Sequence, residues 1–210
     1  MENYIEYANN FIKNELKPHM KSKGFKVSGQ FFYIETEDFI KYICLDKSSW
    51  NHKTTCTFSF RTSIFDKISA KYLKEYVQIT KIPHNTTLNI IQTSVRAHIP
   101  QERDRYTLDA NTDLNKLTET VFYHLDDILI PYIEQYKTKV DLLNMYKNPP
   151  RMYLGPAVFI ELCIGLHEME YGDKKLGIKH VRDWIEKEKD RGYWTEMVDS
   201  IAERLENDEL

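Results

Sequence analysis

The stretch Cys56 to Ile64 alternates without a fault, with Cys56, Phe58, Phe60, Thr62 and Ile64 on one side and Thr57, Ser59, Arg61 and Ser63 on the other. Strand side chains point alternately to the two faces of a sheet, so this segment demands a sheet with one face in a core and one polar face. The apolar face must be covered, and two helical stripes can cover it. Ile5, Ala8, Ile12, Leu16 and Met20 recur at three- and four-residue spacing, ahead of Gly24, whose left-handed conformation closes a helix. Leu114, Leu117, Val121, Leu125, Ile128 and Tyr132 form a second, longer stripe. Pro18 and Pro131 are expected to kink these two helices.

Other strands follow from aromatic and β-branched content. Phe25 to Glu35 and Phe39 to Leu45 read as a hairpin across the acidic turn Glu35-Thr36-Glu37-Asp38. Asp66 to Val77 reads as a short helix, and Pro83 with Asn85 marks a loop. Leu88 to Ile99 reads as a strand with Ile91, Val95, Ala97 and Ile99 on one side and Arg96 and His98 on the other. Tyr106 to Leu108 adds a brief strand, and Asn111 or Thr112 is expected to cap the long helix, with Asp113 in its first turn. Pro149-Pro150 ends whatever helix runs through Tyr146. Pro156 opens an apolar helix to Tyr171, Lys174 to Arg191 forms the next, and a last helix runs to about Glu206. The expected fold is α+β: an antiparallel sheet of about 4–5 strands, covered on one face by an N-terminal helix and a long helix near 113–136, then an all-helical C-terminal extension. The expected domains are a sheet domain over 1–147 and a helical cap over 148–210.

Composition removes several function classes. A formal charge of -3 gives no positive field suited to a phosphate backbone, so no nucleic-acid partner is expected. The three cysteines, Cys44, Cys56 and Cys163, lack CxxC spacing and encode neither a disulfide framework nor a zinc knuckle. The seven histidines form no HExxH, and His167-Glu168-Met169-Glu170 reads as solvated polar residues at a helix end, so no metal site is expected. Seven glycines leave no phosphate-cradling loop, and no cofactor is expected. No apolar run approaches the ~18 residues of a membrane span, and MENYIEYANN has no signal-peptide character. These features predict a soluble, cytoplasmic chain with no membrane partner. Nothing resembles a GxSxG nucleophile elbow, and no catalytic residue is assigned.

Two clusters are candidate binding sites. Arg96, Arg103, Asp104, Arg105 and Asp109 sit where sheet hands over to helix. In one reading Asp104, Asp109 and Asp113 pair with the arginines to fix the turn. In the other, free guanidinium groups grip a carboxylate or phosphate, joined by Arg61 and His98 from polar strand faces. The second cluster is the loop KSSWNHK, where Trp50 beside His52 is either an aromatic platform or a side chain folded back over the sheet edge. A non-enzymatic module that binds another protein, in an accessory or toxin-neutralising role, is the preferred reading. The rival is an enzyme of unfamiliar design acting on an anionic small molecule or phosphoester, with Arg61, Arg96 and His98 as clamp and Asp104 or Asp113 as acid-base groups. A lone strand edge would also suit a homodimer.

The succession FIKNELKPHMKSKGF, QFFYIE, KSSWN, then VRAHIPQERDRYTLDANTDL and a long helix resembles the bacterial domain of unknown function family 4304, over about Tyr4 to Tyr136. The resemblance implies an α+β fold and a bacterial cytoplasmic setting, and carries no established activity. The helical tail lies outside it.

Overall fold

Asn3 opens the first helix by accepting a hydrogen bond from the Glu6 amide. That helix, α1 (residues 4–22), has three parts: Tyr4–Phe11, a wide π-type turn Ile12–Leu16, and Lys17–Ser22. The wide turn answers Pro18, whose ring would clash with the carbonyl four residues back and which has no amide to donate. The Lys17 amide instead donates to Ile12, five residues back, and the helix continues. Gly24, at φ 87°, then turns the chain into the sheet.

The computed structural model describes residues 3–73, 89–102, 104–149, 159–192, 195–207 and 209–210. They fall into two compact units: Met1–Thr36, Ile40–Ile64 and Ile91–Gln135 in the first, Glu37–Phe39, Phe65–Ile90 and Tyr136–Leu210 in the second. The boundary expected at 147/148 falls inside the second unit's last segment.

The first unit holds an antiparallel sheet. Its strands are β1 (Lys26–Ser28), β2 (Phe31–Glu35), β3 (Phe39–Lys47), β4 (Cys56–Asp66) and β5 (Asn89–Thr93) in that spatial order, with β6 (Arg105–Leu108) also paired to β4. The single strand expected over Phe25–Glu35 is two, because Gly29 at φ 60° and Gln30 make a two-residue turn that pairs Ser28 with Phe31. β6 pairs antiparallel with the first half of β4, Cys56 facing Leu108 and Ser59 facing Arg105. The alternation expected along β4 holds through Arg61, and from Thr62 to Asp66 every residue is buried.

A second correction concerns the strand expected over Leu88–Ile99: β5 ends at Thr93, and Val95–His98 form a helical turn, α2. The Asp104 carboxylate accepts from the Arg96 amide at 2.7 Å and so caps that turn. A capping partner eight residues downstream is invisible to local periodicity. The long helix α3 (residues 114–134) starts on Asp113 itself, which accepts from the Asn115 and Lys116 amides, rather than on Asn111 or Thr112. It widens over His124–Leu129 just before Pro131, the device already seen in α1.

The core of this unit lies between sheet and helices. Leu16 and Met20 from α1, Phe32, Ile43, Phe58 and Phe60 from the sheet, and Val121, Leu125, Leu129 and Ile133 from α3 share one cluster. Phe58 stacks on Tyr106 at 5.1 Å between ring centroids, and Phe11 lies 6.3 Å from Phe58. Each fully buried side chain of this kind contributes about 1.5–3 kcal/mol. The wide turn of α3 also carries polar groups: Tyr106 Oη and His124 Nδ1 share a hydrogen bond at 2.7 Å, and Asp126 pairs with His19 at 2.8 Å and Lys23 at 2.9 Å.

The second unit is built mainly of helices: α4 (Lys67–Tyr72), α5 (Lys139–Lys147), α6 (Ile160–Tyr171), α7 (Lys174–Glu188) and α8 (Thr195–Glu206). α6 is buried continuously from Leu162 to Glu168, as its all-round apolar sequence requires. Its backbone approaches α7 at paired glycines. A methyl group on Gly165 would sit 2.7 Å from Val181 Cγ2 and 2.9 Å from the Gly177 carbonyl. The expected start of this helix at Pro156, the later part of the helix expected over Asp66–Val77, and the loop at Pro83 and Asn85 lie outside the described residues. Among the described residues no helix is long and apolar enough to cross a membrane.

Candidate functional site

The loop between β3 and β4 is stapled by one side chain. Asn51 donates through Nδ2 to the Thr57 carbonyl at 3.0 Å and accepts from the Thr57 amide at 2.7 Å. A backbone bridge between His52 and Thr55 closes the tip. His52 itself turns to Thr54, at 2.9 Å. Asn51 occupies hydrogen-bonding positions beside β4, and the ring of its neighbour Trp50 does not fold back over the sheet. It stands 88% exposed, while its amide donates to Ser48 Oγ at 3.2 Å. An indole held out on a fixed loop contributes little to the fold, and such aromatic anchors are what interfaces use.

Trp50 borders a cleft of about 440 Å³ on the outward face of β4 and β6, with Ser48, Ser59, Arg61 and Arg105 among its lining. Arg61 is oriented by Asp46, which accepts from Nε and, at 3.1 Å, from Nη2. The paired carboxylate raises the Arg61 guanidinium above its ordinary value, chiefly through that hydrogen bond. A second cleft of about 620 Å³ contains Arg96, Gln101, Glu102, Asp104 and Thr107. Thr57 and Arg105 line both clefts, so the two adjoin as a two-part trough with Arg105 at the junction.

The aspartates of the corner do not pair with Arg96 or Arg105. Asp104 caps α2 through a backbone amide, Asp109 accepts from the Asn111 amide at 2.9 Å, and Asp113 caps α3. Arg96 and Arg105 are exposed, and neither guanidinium has a carboxylate partner among the described residues. Arg103 lies outside the described residues. His98 does not share a strand face with Arg96, since both lie in the helical turn α2. Its ring lies 4.5 Å from Tyr132, its Nε2 is 3.2 Å from Thr93 Oγ1, and burial pushes its pKa down. The structure therefore brings Trp50, Arg61, Arg105 and Arg96 along one trough and turns His98 and His52 to local partners.

Of the carboxylates in this trough, Asp46 is engaged with Arg61, Asp104 with a backbone amide, and Glu102 is exposed. Cys44 nearby donates to Asp46, and burial first, then that carboxylate, pushes its thiol up to about 12, so it is no thiolate nucleophile. Among the described residues no group of histidine, cysteine, aspartate or glutamate side chains could hold a metal ion.

A second polar cluster, in the second unit, was not legible in the sequence. Asp66 is 0% exposed and accepts from five donors: the Ile68 and Ser69 amides, Ser69 Oγ, Tyr146 Oη at 2.8 Å and His167 Nε2 at 2.9 Å. Burial raises the carboxyl pKa, but His167, Ser69 and Tyr146 outweigh that and hold it below the ordinary carboxylate range. The solvated role expected for His167 is thus wrong: it is 1% exposed and buried on α6. A polar residue amid the apolar run IELCIGLHEME was the available signal, and the Asp66-to-Ser69 spacing at a helix start was the other. Glu170 is engaged too, accepting from Lys71 at 2.7 Å and from Tyr72. Cys163, one turn before His167, is buried beside this knot, and its thiol is pushed up to about 12 by burial first and then by Asp66. Asp66, Ser69, Tyr146, Cys163 and His167 are all at most 2% exposed, so this network ties α4, α5 and α6 together and meets no solvent.

No curated protein and no solved structure matches the chain. Residues 16–135 match the family described as "Domain of unknown function (DUF4304)", which ends where the first unit ends and leaves the helical tail outside. Covering more than half of the sequence, that match makes the chain a member of this family.

Proposed function

We infer that this chain is a protein-binding module whose partner docks across the outward face of β4 and β6. The observation that carries the reading is Trp50, 88% exposed on a loop that Asn51 holds in place, beside a trough with two arginines, Arg96 and Arg105, that have no carboxylate partner among the described residues. Aromatic and arginine side chains are the residues on which protein interfaces most depend. The setting we infer is a bacterial cytoplasm, with which the three unpaired, buried cysteines are compatible. An accessory or toxin-neutralising role suits a module of this kind. Binding is favoured over the rival enzymatic reading because Asp104 and Asp113 already serve as helix caps and His98 packs against Tyr132.

The test is affinity capture from the native host with wild-type chain and the Trp50→Ala variant. A stoichiometric protein recovered by the first and lost with the second, at unchanged melting temperature, is the expected result. Recovery of the same protein by both variants places its binding elsewhere and overturns the reading.

A further inference from the structure

The chemistry of the trough also specifies what kind of segment it takes. Four cationic side chains border it: Lys47, Arg61, Arg96 and Arg105. Arg61 is held by Asp46 and Lys47 gives one of its three N–H donors to Asn9 at 2.6 Å, whereas Arg105, at the junction of the clefts, and Arg96, at the far end, have no carboxylate partner among the described residues. Three carboxylates nearby are engaged, Asp104 by the Arg96 amide, Asp109 by Asn111 and Asp113 by the first turn of α3, while Glu102, exposed in the cleft of Arg96, makes no ion pair with either arginine among the described residues. An unpaired guanidinium is a bidentate receptor for a carboxylate. The indole of Trp50 lies at the opposite end from Arg96, offering an apolar surface. The trough runs along β4 and β6, whose outward Thr57, Ser59 and Thr107 supply hydroxyls rather than bulk, so an extended chain fits above them.

We propose that this trough binds an acidic, extended segment of a partner protein, with one of its carboxylates on Arg105, a second on Arg96, and an apolar side chain against Trp50. The proposal rests on the binding-module reading and adds the chemistry of the partner. With a formal charge of -3, the chain as a whole repels polyanions, so recognition depends on these local charges rather than on a long-range field.

Panning a displayed library of random peptides on the full chain, with the Trp50→Ala and Arg105→Gln variants in parallel, tests both levels. The expected result is enrichment of peptides rich in Asp and Glu with an apolar residue at one end, lost on both variants. A synthetic peptide of that composition should quench or shift Trp50 fluorescence, bind at least about tenfold more weakly to Arg105→Gln, and weaken several-fold as salt rises, since exposed ion pairs are screened. Its glutamine and lysine counterparts should not bind. Enrichment of uncharged or basic peptides that still require Trp50 overturns the acidic-segment proposal and leaves the binding module standing. No enrichment that depends on Trp50 overturns both. A single-stranded oligonucleotide that binds the same face more tightly than the acidic peptide also overturns the proposal.

Discussion

The two polar clusters of this chain use similar side chains to opposite ends. Around Asp66 in the second unit, five donors converge on one carboxylate and every member is sealed from water. Along β4 and β6 in the first unit, an indole and two guanidinium groups stand in solvent with no side-chain partner among the described residues. A buried carboxylate must be satisfied or it costs several kcal/mol, so the first arrangement is required by the fold. Solvent satisfies the second at no cost, so the fold does not require it. Spare hydrogen-bonding capacity thus faces outward in the first unit, while in the second the Asp66 carboxylate is saturated and His167 Nδ1 is the buried atom of the cluster without a partner among the described residues.

Removing the centre of the sealed cluster should have the largest effect. Asp66→Ala strands Tyr146 and His167 and removes the cap of α4, and should cost about 3–5 kcal/mol in urea unfolding of the second unit. A cost below about 1 kcal/mol would erase the contrast between the clusters. Gly165→Ala probes the same unit by packing alone. Its methyl would meet Val181 and the Gly177 carbonyl, with an expected loss of about 1–3 kcal/mol. Tyr106→Phe leaves His124 Nδ1 without its hydrogen-bond partner in the core of the first unit and should cost about 1–2 kcal/mol, read as a shift in unfolding midpoint.

Acidification should separate the clusters by pH. Burial holds His98 and His124 below the ordinary histidine value, so the unfolded chain takes up their protons first. Their contribution to the first unit is complete above about pH 6.5 and is lost as pH falls through their folded values. Asp66 has a folded pKa below the ordinary one, so its contribution is complete above about pH 4 and is lost only as pH falls further. His124→Gln should flatten the upper part of a stability-against-pH curve and Asp66→Asn the lower part. A curve whose upper part His124→Gln leaves unchanged would contradict the burial assigned to that ring.

The fold was legible where local periodicity decides it. The alternation of β4 as far as Arg61, the stripes of α1 and α3 and the closing glycine at Gly24 each appear in the structure as expected. It was illegible where a distant side chain decides. Arg96 and His98 lie in a sequence that suits a strand, yet the Asp104 carboxylate reaches back to hold them in a helical turn. Pro18 and Pro131 are absorbed by wide turns because both helices carry core stripes on either side of the proline, and packing resists a break. The outward face was visible as Arg61, Arg105 and Trp50, because charge and aromaticity outside the apolar pattern can be read residue by residue. The Asp66 network was not, since its members are separated by up to 101 residues and only the fold joins them.

The most direct test of the contrast is the urea-unfolding free energy of the double variant Trp50→Ala, Arg105→Gln. Surface residues without internal partners should change it by no more than about 0.5 kcal/mol. A loss of about 2 kcal/mol or more would mean that the outward cluster holds the fold together, and would contradict the assignment of that face to a partner.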